Sequence, residues 1–104
     1  MIDIALIRKN MNLRCRKIVY RCWRRGTREM DLILGSFVDK YILDLSEAEL
    51  DMLELIIEKD DGSLFKWISG SEEIPEDLRI PIFNKICAYY SFNRDCNVFL
   101  ENIK

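Results

Sequence analysis

Two amphipathic stretches of different charge character meet at a single glycine, and that junction constrains the fold more than any other feature of the chain. Before it, Cys15, Ile18, Val19, Cys22 and Trp23 recur at i, i+3, i+4, i+7 and i+8, one apolar stripe of a helix. Arg14, Arg16, Lys17, Arg21 and Arg24 lie mostly off that stripe. After it, Met30, Ile33, Leu34, Phe37, Val38 and Tyr41 keep the helical period. The junction itself runs from Arg24 to Asp31, RRGTREMD. Gly26 is expected to end the first helix by taking a left-handed conformation, with Arg24 and Arg25 at the negative end of the dipole. Thr27 is then the N-cap of the second helix, and Glu29 and Asp31 in its first turn complement the positive dipole end. The corner is expected to set Arg25 and Glu29 side by side on the surface.

The remaining elements follow from caps and periodicity. Ser46-Glu47-Ala48-Glu49 is a capping box, opening a third helix with Leu50, Leu53, Ile56 and Ile57 on its apolar side. Asp60-Asp61-Gly62 ends that helix and caps a short fourth one, which carries Leu64, Phe65, Trp67 and Ile68 and stops at Gly70. A polar loop from Ser71 to Glu76 leads to a fifth helix with Leu78, Ile82, Phe83, Ile86, Cys87 and Tyr90 inward. Pro81 belongs in the first turn of that helix, where its missing N–H costs nothing. Gly35 and Ser36 mark a place of close helix packing. Trp67 reads as core, and Tyr89, Tyr90 and Phe92 read as a packed helix end. Hairpin turns and sustained alternation are lacking, so the expected fold is all-α, a small bundle of about five helices with short connections.

The chain of 104 residues is expected to hold one domain over residues 14–92, flanked by an N-terminal extension, 1–13, and a tail, 93–104. Apolar residues at 49% and charged residues at 33% suit a small globule rather than a disordered chain. No apolar run reaches the ~18–20 residues of a membrane span, so membrane insertion is not expected. The chain has no histidine, which excludes Ser/His/Asp and Cys/His nucleophilic sites and every histidine-containing zinc site. Cys15, Cys22, Cys87 and Cys96 form no C-x-x-C pair and do not have metal-site spacing. Cys15 and Cys22 share one helix face and read as buried thiols, reduced in a cytosol-like compartment.

The formal charge of −2 conceals a strong segregation. Residues 1–28 carry nine Lys/Arg against Asp3, whereas residues 29–77 carry fifteen Asp/Glu against Lys40, Lys59 and Lys66. Two arrangements are compatible with this: a polar surface that steers a partner, or two regions that face each other within the fold.

In this order and spacing, the features resemble one family. Arg25-Gly26-x-x-Glu29 is similar to an R-G-x-x-E signature, and Glu29-Met30-Asp31-Leu32-Ile33-Leu34-Gly35 to its E-x-D-x-x-L-G continuation. Leu45-Ser46 with the acidic residues after it resembles the start of the family's third helix. Asp60-Asp61 followed by Leu64-Phe65-x-Trp67 resembles its D-x-x-L-F-x-W segment. The family is that of the SdhE-type FAD assembly factors, and the resemblance covers about residues 14–83. It implies a chaperone-like helper, not an enzyme, that binds the flavoprotein subunit of succinate dehydrogenase, or of the related fumarate reductase. In that family's mode of action the subunit joins its own histidine to FAD. The implied partner-binding residues are Arg25, Gly26 and Glu29, with Arg24, Arg28 and Asp31 as weaker candidates. No catalytic residue, metal ligand or stably bound FAD is implied, and a monomer is expected.

The alternative function is a nucleic-acid-binding helical module using residues 8–28, whose nine cations interleave with Tyr20 and Trp23. The acidic middle of the chain and a pI near 5.2 oppose it. The Arg-rich, acid-poor N-terminus superficially looks like a mitochondrial transit peptide. Because the basic run leads straight into the signature helix, the expected compartment is a bacterial cytoplasm, with the mitochondrial matrix as the alternative.

Overall fold

The structure, a computed structural model, describes residues 12–95; the extension as far as residue 11 and the tail from residue 96 lie outside the described residues. Among those described, the chain forms five α-helices and no strand: α1 (Leu13–Trp23), α2 (Arg28–Tyr41), α3 (Glu47–Ile57), α4 (Asp61–Ser69) and α5 (Pro81–Asp95). Two 3₁₀ turns, Ile42–Asp44 and Glu76–Leu78, complete the connections. The expected all-α bundle is the observed one.

Most helix ends are set by the capping residues the sequence supplies. Asn12 accepts the Cys15 N–H at 2.8 Å and starts α1. Thr27 caps α2 through the Met30 N–H, and Ser46 and Glu49 form a reciprocal capping box on α3. Asp60 caps α4 through the Ser63 N–H at 3.0 Å, and Gly70 closes it in a left-handed conformation, φ 86°. Pro81 is the first residue of α5, as its missing N–H requires.

The core is built on α2 and α5. α2 packs against α1 and α5, and α5 in turn covers α3 and α4. The expected stripes face inward: Cys15, Ile18, Val19 and Cys22 from α1; Leu50, Leu53, Ile56 and Ile57 from α3; Ile82, Phe83 and Ile86 from α5. Phe37 and Phe83 are fully enclosed, each contributing about 1.5–3 kcal/mol of burial.

Gly35 is where α1 and α2 approach closely. A Cβ there would lie 2.6 Å from Cε3 of Trp23 and nearer still to two other ring carbons, so the indole rests directly on the α2 backbone. Trp23 also donates its Nε1–H to Asp39 at 3.1 Å. The neighbouring Ser36 hydroxyl folds back onto the Leu32 carbonyl of its own helix.

Several side chains are placed differently from what their spacing suggested. Leu78 is buried, but from the second 3₁₀ turn rather than from α5. Cys87, Tyr90 and Trp67 are half-buried, packed against the core rather than within it. The aromatic helix end divides in two. Tyr89 meets Phe37 edge-on at 5.6 Å and Tyr90 meets Phe65 at 6.1 Å, whereas Phe92 is 68% exposed.

Candidate functional site: the α1–α2 corner

The corner is tighter than a glycine-capped helix end. α1 stops at Trp23, before the glycine, and the Arg24 N–H reaches back to the Arg21 carbonyl at 3.3 Å. The next N–H, that of Arg25, is taken by Asp31 Oδ1 at 2.5 Å. Gly26 follows with a φ of 118°, open to glycine and strained for any residue with a Cβ. Asp31 therefore faces back across the corner from the first turn of α2, closing the link between the helices.

Arg25 points inward, against expectation. Its side chain is 9% exposed, and Nε donates to Asp61 Oδ1 at 2.7 Å; Asp61 is itself 13% exposed. Nη2 donates to the Lys59 carbonyl at 2.5 Å and Nη1 to the Ile57 carbonyl. One guanidinium thus closes the open carbonyl end of α3 and pairs with the first residue of α4. An ammonium could not match this, because the fork sends separate donors to three acceptors.

Glu29 points the other way. It is exposed, and its carboxylate takes no part in the Arg25–Asp61 pair. The expected surface pairing of Arg25 with Glu29 is therefore replaced by one buried cation and one outward anion. The difference arises because the α3 carbonyl end and the Asp61 carboxylate together offer Arg25 more acceptors than Glu29 alone.

Gly26 is exposed between the two, with only the Asp61 carboxylate in reach of where a Cβ would stand. Arg24 and Arg28 are both exposed. The Arg24 guanidinium lies 4.5 Å over the Tyr20 ring, in a cation–π contact. A groove of about 700 Å³ runs beside the corner, with Tyr20, Arg21 and Arg24 on one wall and Glu58, Asp60 and Asp61 on the other.

The segregated charges are partly matched within the fold. Arg14 of α1 fans over the acidic face of α3: Nε donates to Glu54 at 2.7 Å, Nη1 to Glu47 at 2.6 Å, and Nη2 to Asp51 and Glu54. These partners raise the Arg14 pKa still further, chiefly through the Asp51 hydrogen bond. Arg14 and Arg25 are thus committed to carboxylates of this chain, while Lys17, Tyr20, Arg21 and Arg24 are exposed. The second expected arrangement, two regions that face each other within the fold, is therefore present in part.

The α1 cysteines are buried, as their spacing suggested. Burial pushes the Cys22 thiol up to about 12 and raises that of Cys15, so both remain protonated near neutral pH and are poor nucleophiles.

Comparison with known proteins adds a family. A sequence model described as flavinator of succinate dehydrogenase matches residues 16–90, most of the chain and all of the corner. The chain belongs to the succinate dehydrogenase flavinator family. Among its relatives, the FAD assembly factor SdhE of Legionella pneumophila strain Paris is 32% identical over 78% of this chain and 91% of its own length. The SdhE of Acetobacter pasteurianus is 31% identical over 74% of this chain and 71% of its own. The mitochondrial succinate dehydrogenase assembly factor 2 of Dictyostelium discoideum is 32% identical over 68% of this chain, but the match spans only half of that protein. No solved structure matches the chain significantly. Among the described residues, no helix is long and apolar enough to cross a membrane.

Sequence reasoning missed the internal pairing of two arginines, Arg25 at the corner and Arg14 near the start of α1. Asp61 holds the signature arginine, and the signal for it was present: it is the first residue of the D-x-x-L-F-x-W segment. Arg14 carried no such signal, since nothing in the order of residues separates it from the other cations of α1.

Proposed function

We propose that this protein binds the flavoprotein subunit of succinate dehydrogenase and promotes the covalent attachment of FAD to it. The α1–α2 corner is the contact surface, presented by the domain at residues 14–92. The observation that carries this reading is the division of labour within the signature. Arg25 is locked inside, and this leaves the exposed Gly26 backbone and the outward Glu29 carboxylate together on a braced surface. A partner backbone can approach Gly26 because no side chain stands there, and a partner cation can pair with Glu29.

The protein supplies no chemistry of its own in this reading. The flavoprotein's own histidine forms the bond to the flavin, and this chain, which has no histidine, favours the conformation that aligns the two. Positioning alone lowers a barrier by several kcal/mol when reacting groups are otherwise misaligned. Arg24 and Arg28 flank the contact, and Asp31 supports it from behind. Fumarate reductase, whose flavoprotein is related, is the second client. The commitment of Arg14 and Arg25 to internal carboxylates favours a protein partner over nucleic acid, because it removes two cations from the basic segment. The buried thiols suit a reducing compartment, and the reading places the protein in a bacterial cytoplasm, with the mitochondrial matrix as the alternative.

The decisive experiment is a flavinylation time course with purified apo flavoprotein subunit and FAD, with and without this protein. Acceleration that disappears with Glu29→Ala supports the reading. Equal rates with and without the wild-type protein, in the absence of any complex between the two, refute it.

A further inference from the structure

We propose that Asp61 is a positioning residue for the partner-facing corner. It holds the Arg25 guanidinium beneath Gly26 and so fixes the backbone that the flavoprotein meets. This inference rests on the reading of the corner as the contact surface.

One carboxylate faces both parts of the signature. Asp61 Oδ1 accepts the Arg25 Nε–H at 2.7 Å, while Oδ2 lies 3.6 Å from the place a Cβ of Gly26 would occupy. The position of Asp61 does not depend on Arg25. It is the first residue of α4, whose N-terminus is already capped by Asp60, and the positive dipole end favours a carboxylate there. The anchor is therefore built into α4, and the arginine is drawn to it from α1. The Ile57 and Lys59 carbonyls direct the other two guanidinium nitrogens, and Asp31 holds the Arg25 N–H, so the residue before Gly26 is fixed at main chain and side chain alike.

Removal of Asp61 leaves a guanidinium, 9% exposed, facing neutral carbonyls alone. Such a cation turns toward water to recover its solvation, and the neighbouring glycine, with few barriers of its own, turns with it. Glu29, in the next turn of α2, then meets the partner in a different register from Gly26. An exposed ion pair would not have this leverage.

The test uses the full chain and measures its affinity for the flavoprotein subunit, together with the dependence of flavinylation rate on its concentration. Asp61→Ala is expected to weaken binding by about tenfold or more, since small misplacements of a contact surface cost that much. The half-saturating concentration should rise in step while the rate at saturation stays at the wild-type level, because the chemistry belongs to the partner. The NMR signal of the Arg25 Nε–H should lose its protection from exchange while core amides of α2 and α5 keep theirs. Ser46→Ala, which destabilises α3 at its far end, serves as the comparison and should bind normally.

Wild-type affinity in a folded Asp61→Ala variant overturns the proposal. So does a loss that Ser46→Ala reproduces, since the effect is then general destabilisation. Should the alanine variant not fold, Asp61→Asn decides: weaker binding supports the proposal and unchanged affinity overturns it. If Glu29→Ala and Gly26→Arg both bind normally, the reading of the corner fails and this inference with it. If those two lose binding while the Asp61 variants keep it, the positioning role alone falls.

Discussion

Arg25 and Asp61 meet at 2.7 Å across 36 positions of sequence, and their pairing joins the α1–α2 corner to the α3–α4 turn. The signature arginine is therefore a structural tie, and its expected behaviour differs sharply from that of the signature glutamate. Arg25→Ala strands a largely buried carboxylate and two carbonyls and is expected to cost about 3 kcal/mol. Glu29→Ala removes only an exposed first-turn carboxylate and should cost about 0.3–1 kcal/mol. Urea unfolding of the two variants checks this, and equal midpoints would contradict the inward role of Arg25.

Gly26→Ala should cost roughly 1 kcal/mol, because a φ of 118° strains a residue bearing a Cβ. The cost is conformational rather than steric, since the added atom would stand 3.6 Å from its nearest neighbour. Gly26→Arg should keep its helical circular dichroism yet lose the flavoprotein, as pull-down with a tagged subunit would reveal. A folded Gly26→Arg variant with full affinity removes this residue from the site.

Gly35→Ala attacks a different contact. Its methyl group would enter the Trp23 ring, and overpacking of this kind costs about 1–3 kcal/mol. Thermal melting should show the loss, whereas an ordinary glycine-to-alanine change within a helix is stabilising.

Acid should weaken the caps in a definite order of sign. Hydrogen bonds from Ser46 and Ser63 hold the Glu49 and Asp60 carboxyls below their ordinary values of 4.5 and 3.8. Their contribution is complete above those values and is lost as pH falls through the lower folded values. The urea midpoint should therefore lose this contribution below about pH 4.5 and through the lower folded values. Asp60→Asn should show a shallower acid limb than the wild type, and an identical limb would rule out the cap as its source.

The isolated protein is expected to be colourless and to bind FAD weakly. No G-x-G-x-x-G turn follows a strand here, which is the arrangement dinucleotide folds use to seat a pyrophosphate. Titration of FAD against the protein alone tests this. Tight, stoichiometric binding would make the protein a cofactor carrier and revise the mechanism.

Helix positions were legible in the sequence because their causes are local. The stripe from Cys15 to Cys22, the Ser46–Glu49 box and Gly70 each act within a few residues of where they stand. The partners of Arg14 and Arg25 were not legible. Each is one arginine among several in a basic run, and what sets them apart is the approach of α3 and α4, which depends on packing across the whole bundle. Glu29 was expected on the surface and is there; what the sequence did not reveal is that its signature arginine is elsewhere.

The seat of Trp23 on Gly35 gives the molecule a built-in optical reporter. Its half-buried indole rests on the backbone of α2 and is hydrogen-bonded to Asp39, so its emission should shift to the red when α1 lifts away. Trp67, half-buried on α4, reports on the other side of the Arg25–Asp61 tie. Variants that keep one tryptophan at a time therefore distinguish the first helix peeling off from the bundle unfolding as a whole, without any added label.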